Sequence, residues 1–167
     1  VRLITDISVL TEKEKQMIPM LIEVARIMDD LFWQQALLEN KDAFLDSIMN
    51  PDARKFAMIN YGPWDRLDGN KPFLPNWGDK PAGANFYPQN LTVEEFEKWD
   101  DPNKTSQYTL VWRNEDGSLR TVWYHEAFKE PIDRAASLLR QASEFAEDPG
   151  LKTYLELRAE ALETDEY

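Results

Sequence analysis

The stretch Thr11-Glu12-Lys13-Glu14-Lys15-Gln16-Met17-Ile18-Pro19-Met20-Leu21-Ile22-Glu23-Val24-Ala25-Arg26-Ile27-Met28-Asp29-Asp30-Leu31-Phe32-Trp33 decides the fold class. Its first four residues form a capping box, in which the Thr11 hydroxyl and the Glu14 carboxylate satisfy the free N–H groups of a starting helix. Met17, Ile18, Met20, Leu21, Val24, Ala25, Ile27, Met28, Leu31, Phe32 and Trp33 follow at helical spacing. The stripe is wide, so the helix is expected to be buried on more than one side. Pro19 is expected to kink it or to split off a short first turn, because proline lacks the N–H that an interior position donates.

Further helices read outward from this one. Asn40 caps a short segment through Phe44, Leu45 and Ile48, and Asn50-Pro51 reads as cap and first residue of a helix to about Tyr61. A second capping box, Thr92-Val93-Glu94-Glu95, opens a short helix to about Trp99. Ile132, Ala135, Ala136, Leu139, Ala142, Phe145 and Ala146 repeat with helical period, and Asp148-Pro149 caps a last helix that turns Leu151, Tyr154, Leu155, Ala161 and Leu162 inward. The acidic end of that helix (Glu163, Asp165, Glu166) opposes the negative pole of the helix dipole, which predicts fraying or a further continuation.

Two regions break the helical pattern. Residues 108–113 and 119–124 are aromatic and β-branched and flank Asn114-Glu115-Asp116-Gly117, which predicts a hairpin over 108–124 with one face on the helices. Residues 62–90 hold four of the six glycines and five of the ten prolines, together with Trp64, Phe73, Trp77, Phe86 and Tyr87. A disordered linker would not be so aromatic, so this is an ordered loop pinned to the helices. The expected fold is mainly α (α+β): one helical domain over 1–167 with a single hairpin and a long aromatic loop.

Composition narrows the function. With 19 Lys and Arg against 31 Asp and Glu, the net charge is −12, which disfavours phosphate backbones and anionic membranes. No nucleic-acid or membrane partner is expected. No apolar run approaches the ~20 residues of a membrane span, so the chain is expected to be soluble, in cytoplasm or periplasm. The first residues are not a basic-then-apolar leader and carry no Met, which reads as a segment of a longer polypeptide.

Without cysteine, thiolate metal sites and thiol nucleophiles are ruled out. His125-Glu126 opens a His-Glu-x-x-His zinc signature, but Lys129 stands where the second imidazole is needed and His125 is the only histidine. No catalytic and no metal residue is therefore assigned, and His125 is read as packing at the hairpin-to-helix junction. Asp65, Asp68, Gly69 and Asn70 fail the calcium-loop pattern, since Trp64 and Arg66 fall on ligand positions. Phosphate-binding glycine loops, the Arg-Glu-x-x-Glu-Glu helix of Nudix hydrolases and a Gly-x-Ser-x-Gly elbow are all missing. The one feature with functional pull is the aromatic set Tyr61, Trp64, Phe73, Trp77, Phe86 and Tyr87, which would either line a cleft for a peptide or anchor the loop.

Several words of the sequence carry a family resemblance. Glu14 to Glu23 with Met28 to Trp33, Ile59-Asn60-Tyr61-Gly62-Pro63-Trp64-Asp65-Arg66, Lys71-Pro72-Phe73, Pro81-Ala82-Gly83-Ala84-Asn85-Phe86-Tyr87-Pro88, Tyr124 to Glu130 and Tyr154 to Leu162 resemble the opening of bacterial zinc-dependent hydrolases related to dipeptidyl-peptidase III. The resemblance implies one lobe of a two-lobed metallopeptidase with the substrate cleft between the lobes. It implies that zinc, held by a His-Glu-x-x-His or His-Glu-x-x-x-His helix and a later Glu, belongs to a part C-terminal to these residues. Expected partners are that catalytic lobe and a peptide substrate. The alternatives are a stand-alone interaction module using the aromatic loop, or part of a Nudix-hydrolase fusion, since some relatives carry a Nudix domain upstream.

Overall fold

The computed structural model describes residues 4–37 and 40–167. Helix α1 (Glu12–Ala36) is followed by α2 (Lys41–Ser47), α3 (Pro51–Asn60), the short strands β1 (Trp64–Asp65) and β2 (Lys71–Pro72), α4 (Val93–Lys98), the hairpin β3 (Thr109–Arg113) and β4 (Leu119–Trp123), and then α5 (Tyr124–Ala127), α6 (Lys129–Ser143) and α7 (Pro149–Thr164). The fold is mainly α with a small β component, as the pattern predicts. Its contacts divide the chain into two compact units, residues 1–29 with 123–167, and residues 30–122.

In the first unit the core is built from Met17 of α1, Ala136, Leu139 and Ala142 of α6, Ala146, and Leu155 and Ala159 of α7. Ala136, Ala142 and Ala159 have no accessible surface at all. Side chains this small let helix backbones approach closely and leave no space for a larger group. Pro19 does not break α1, which runs unbroken from 12 to 36; the proline sits two turns inside the helix and removes one interior donor without stopping it. The capping box forms as read, Thr11 N–H donating to Glu14 at 3.0 Å and Glu14 N–H to the Thr11 hydroxyl at 3.1 Å.

Two expectations for α7 are corrected. Tyr154 points outward, 53% exposed, and carries the Arg158 guanidinium over its ring at 5.6 Å. The acidic end is tied down: Glu163 takes a two-pronged ion pair from Arg140, at 2.6 and 2.5 Å, and Asp165 caps the helix in the left-handed region at φ 58°. Local partners here outweigh the dipole, an effect worth only about 0.3–1 kcal/mol at an exposed end.

The second unit packs around rings. Trp33 of α1 and Leu37 just beyond it, Phe44 of α2 and its C-cap Ile48, Ala57 of α3 and Trp64 form its core, with Tyr61, Phe73 and Trp77 against it. The wide stripe on α1 is thereby explained, since its early residues feed one core and its late residues the other. Asn40 and Asn50 cap α2 and α3 through their side-chain oxygens, each accepting from two backbone N–H groups. Tyr61 ends α3 at φ 55°, a conformation that suits Gly or Asn better. Its ring holds it there by packing 4.6 Å from Phe32 and 5.1 Å from Trp33.

Candidate functional site

The 62–90 loop is ordered by three devices. The first is the pair β1–β2, antiparallel with Trp64 opposite Pro72, a short pairing inside the predicted loop. The turn between them is the polar one expected in place of a calcium loop: Asp65 accepts from the Leu67 N–H, and Asp68 pairs with Lys71. The second is aromatic. Trp64 is 4% exposed, donates its indole N–H to the Gly78 carbonyl at 2.9 Å, and meets Trp77 edge to face at 5.6 Å. Trp77 also meets Phe44 at 5.4 Å, and Phe73 meets Phe56 at 4.8 Å. The third is Asn85, whose side-chain amide donates to the Gln34 and Leu37 carbonyls at 2.5 and 2.6 Å while its backbone N–H donates to Gln35. It closes the end of α1 from about fifty positions away. Helix ends leave carbonyls without partners, and an amide with two donors is suited to them.

The six aromatic candidates therefore fall into two groups. Tyr61, Trp64, Phe73 and Trp77 lie together as anchors of the second core. Phe86 and Tyr87 lie apart from them. The Phe86 carbonyl accepts from Val111 N–H at 2.9 Å, fixing the loop to β3, and its side chain faces a cavity shared with Gly69, Asn70, Lys71 and Lys80. Tyr87 lines an adjoining groove of about 560 Å³ with Leu91, Val93 and Phe96, and Pro81 and Gly83 belong to the walls of both.

That groove is concave and lined mostly by apolar side chains. Tyr87 meets Phe96 edge to face at 5.8 Å and remains 39% exposed. Gly83 stands at φ +74° so close to the Tyr87 ring that a Cβ would lie 2.4 Å from its Cδ2. The opposite wall is α4. Thr92 caps it, but the Glu95 carboxylate is mainly engaged by Arg113 at 2.7 and 2.9 Å, so the predicted capping box is shared with the hairpin. The Arg113 guanidinium and, to a smaller degree, the Thr92 N–H hold the Glu95 carboxyl below its ordinary range. At the far end of α4 the Lys104 ammonium collects the carbonyls of Phe96, Glu97 and Trp99 and sits 5.1 Å over the Phe96 ring. Neither Asn85 nor Lys104 shows a sequence signal: Asn85 acts on a helix end about fifty positions away, and Lys104 reaches back five to eight residues with no motif to mark it.

His125 has a different role. Its backbone N–H donates to Asp165 Oδ2 at 3.1 Å and its Nδ1 lies 2.8 Å from the same oxygen. A carboxylate only accepts, so Nδ1 is the donor in this contact. The Asp165 side chain is only 3% exposed, and a buried carboxylate requires such donors. Lys129, in the position of a second zinc ligand, pairs with Asp133 at 2.8 Å, which raises the lysine's pKa. Among the described residues no three His, Asp or Glu side chains converge on a point where a metal would sit. Among the described residues, no helix is long and apolar enough to cross a membrane.

Comparison with known proteins adds three similarities, while no protein-family model matches the chain. Dipeptidyl-peptidase III (DPP III) from Caldithrix abyssi superposes with a TM-score of 0.88 at 39% identity, over 98% of this chain and 33% of that one. Dipeptidyl-peptidase III from Corallococcus sp. strain EGB gives 0.88 at 32% identity, over 100% of this chain and 33% of that one. Nudix hydrolase 3 of Arabidopsis thaliana is 23% identical over 95% of this chain and 28% of its own length. The chain thus spans about a third of each of these proteins, and its fold is that of a DPP III-related lobe.

Proposed function

We propose that these 167 residues are the N-terminal, non-catalytic lobe of a zinc-dependent hydrolase of the dipeptidyl-peptidase III type, and that they form one wall of its substrate cleft. The observation that carries this reading is the 39% identity to the Caldithrix enzyme across 98% of the chain, at a TM-score of 0.88. In this reading the metal and its general base belong to the remaining part of the polypeptide, which is also this lobe's principal partner. The lobe supplies scaffold, and a peptide substrate contacts it at the groove of Tyr87 and Phe96, where ring faces and a half-exposed hydroxyl suit an extended peptide.

The test uses the intact polypeptide that carries this lobe. It is expected to release dipeptides from the amino end of short peptides and to lose that activity on chelation. Robust folding with no peptide hydrolysis under any metal supply would refute the proposal. The similarity to Nudix hydrolase 3 favours a second reading, in which the parent also carries a Nudix domain. The intact polypeptide would then hydrolyse a nucleoside diphosphate derivative, an activity for which residues 1–167 lack the acidic helix.

A further inference from the structure

The groove of Tyr87 and Phe96 differs from the cavity beside it in charge. Lys71, Asp79 and Lys80 belong to the wall of that cavity, across the turn at residues 81–84 that both share. Among the described residues, no Asp, Glu, Lys or Arg side chain lines the groove, in a chain where 30% of residues are charged. Besides Tyr87, its polar side chains are Gln89 and Thr92.

Helix α4 shows how charge is kept off this wall. Val93 and Phe96, about one turn apart, line the groove, while Glu94, Glu95, Glu97 and Lys98 do not. Glu94 is drawn to Lys98 at 2.6 Å, and Glu95 to Arg113. Beyond the helix, the Lys104 ammonium is engaged by backbone carbonyls. What remains on the wall is apolar and wet: Val93 is 74% exposed. The opposite wall is pre-formed, with the Tyr87 ring held between Gly83 and Phe96.

We propose that this groove selects among peptides, taking an uncharged apolar side chain and rejecting a charged one, and that Val93 sets the preference. The inference deepens, and rests on, the reading of this lobe as one wall of a peptide cleft. An aliphatic or aromatic side chain covers Tyr87, Val93 and Phe96 and takes their apolar surface out of water. A carboxylate or ammonium entering the same space gives up hydration and meets no opposite charge. Discrimination therefore comes from the missing partner on the wall, which an introduced charge can supply.

The test follows the Tyr87 and Phe96 ring resonances of the 167-residue chain by NMR. The probes are four tetrapeptides blocked at both ends and identical except for one central Leu, Phe, Asp or Lys. Saturable shifts are expected with the Leu and Phe peptides, and binding weaker by roughly tenfold or more with Asp and Lys. Val93→Asp changes an exposed side chain, so a matching melting curve shows that it folds. It is expected to weaken the Leu peptide by roughly tenfold and to favour Lys over Asp. Val9→Asp, at a valine that is 79% exposed in the other unit, leaves all four unchanged. Equal binding of the four peptides, no saturable shift with any of them, or a folded Val93→Asp protein that binds the Leu peptide as before would overturn the inference. So would ring shifts that follow protein dilution, which would assign the groove to a second copy of the chain. The same peptides with free amino ends, given to the intact polypeptide, separate this inference from the reading beneath it. Cleavage of all four at equal kcat/KM contradicts the selectivity alone. No cleavage of any, with selective binding retained by the 167-residue chain, contradicts the hydrolase reading alone.

Discussion

The two compact units reach order by opposite routes. In the first unit, regular helices meet through alanines without accessible surface, and the polar contacts are ion pairs on the rim, such as Arg134–Glu23 and Arg140–Glu163. In the second, most of residues 62–108 lies outside helices and strands, and the chain is held by interlocked rings and by side chains that bond backbone carbonyls at helix ends. The difference teaches where each unit is sensitive. Close-packed small residues resist enlargement, whereas a pinned loop resists loss of a pin.

The largest effect is expected in the ring cluster. Trp64→Ala removes a buried ring, its hydrogen bond to Gly78 and its contact with Trp77, and should cost about 3–5 kcal/mol by chemical denaturation. A loss under about 1 kcal/mol would show that the loop is not anchored by its aromatics. Next comes Ala136→Leu in the first unit, where no space exists for the added carbons; about 1–3 kcal/mol of destabilisation is expected, with the indole fluorescence of Trp64 and Trp77 unchanged before unfolding. If Ala136→Leu were neutral, the contrast between the units would fail.

Asn85→Ala strips the α1 end of its remote cap and should cost about 1–3 kcal/mol, read as faster amide exchange at the loop and the end of α1 before global unfolding. Gly83→Ala adds a methyl at a positive φ against the Tyr87 ring and should cost about 1 kcal/mol or a little more. Its more useful readout is a shifted Tyr87 ring resonance, because the groove wall must move. The smallest effect concerns Glu95 and Arg113. The Glu95 carboxyl is held below the ordinary value of 4.5, so the pair's contribution is complete above that value and is lost as pH falls through the lower, folded one. Carboxyl ¹³C NMR should place Glu95 below 4.5, and Arg113→Met should return it to the ordinary range.

Much of the first unit was legible in the sequence because its signals are local. A capping box, an Asp-Pro start and an apolar period of 3.6 each act within a turn or two, and α6 and α7 follow them closely. Where the local reading failed, a specific long-range partner intervened. Tyr154 was expected inside, but the small residues Ala159 and Ala161 fill the buried side of α7. The acidic end predicts fraying or a further continuation; fraying is countered by Arg140 and His125, which hold Glu163 and Asp165. The sequence predicts that Pro19 kinks α1 or splits off a first turn, but no turn is split off: the helix runs on through the proline.

In the second unit the sequence showed that the loop must be pinned, and not by what. Composition announces buried aromatics, yet nothing in Tyr61, Trp64, Phe73 or Trp77 alone tells an anchor from a lining residue. The distinction depends on neighbours such as Phe44 and Trp33, which arrive from α1 and α2. The groove of Tyr87 and Phe96 depends likewise on Gly83 folding back on a ring four residues later. The Asn85 and Lys104 caps leave no trace in sequence, since any Asn or Lys has the same donors.

The most direct test of the lobe assignment is an exchange. Residues 1–167 would replace the matching third of the Caldithrix abyssi dipeptidyl-peptidase III, and dipeptide release from a short peptide would be measured beside the unaltered enzyme. The account predicts a chimera that melts cooperatively and retains measurable dipeptide release. A chimera that folds as stably as the unaltered enzyme and releases no dipeptide would contradict it.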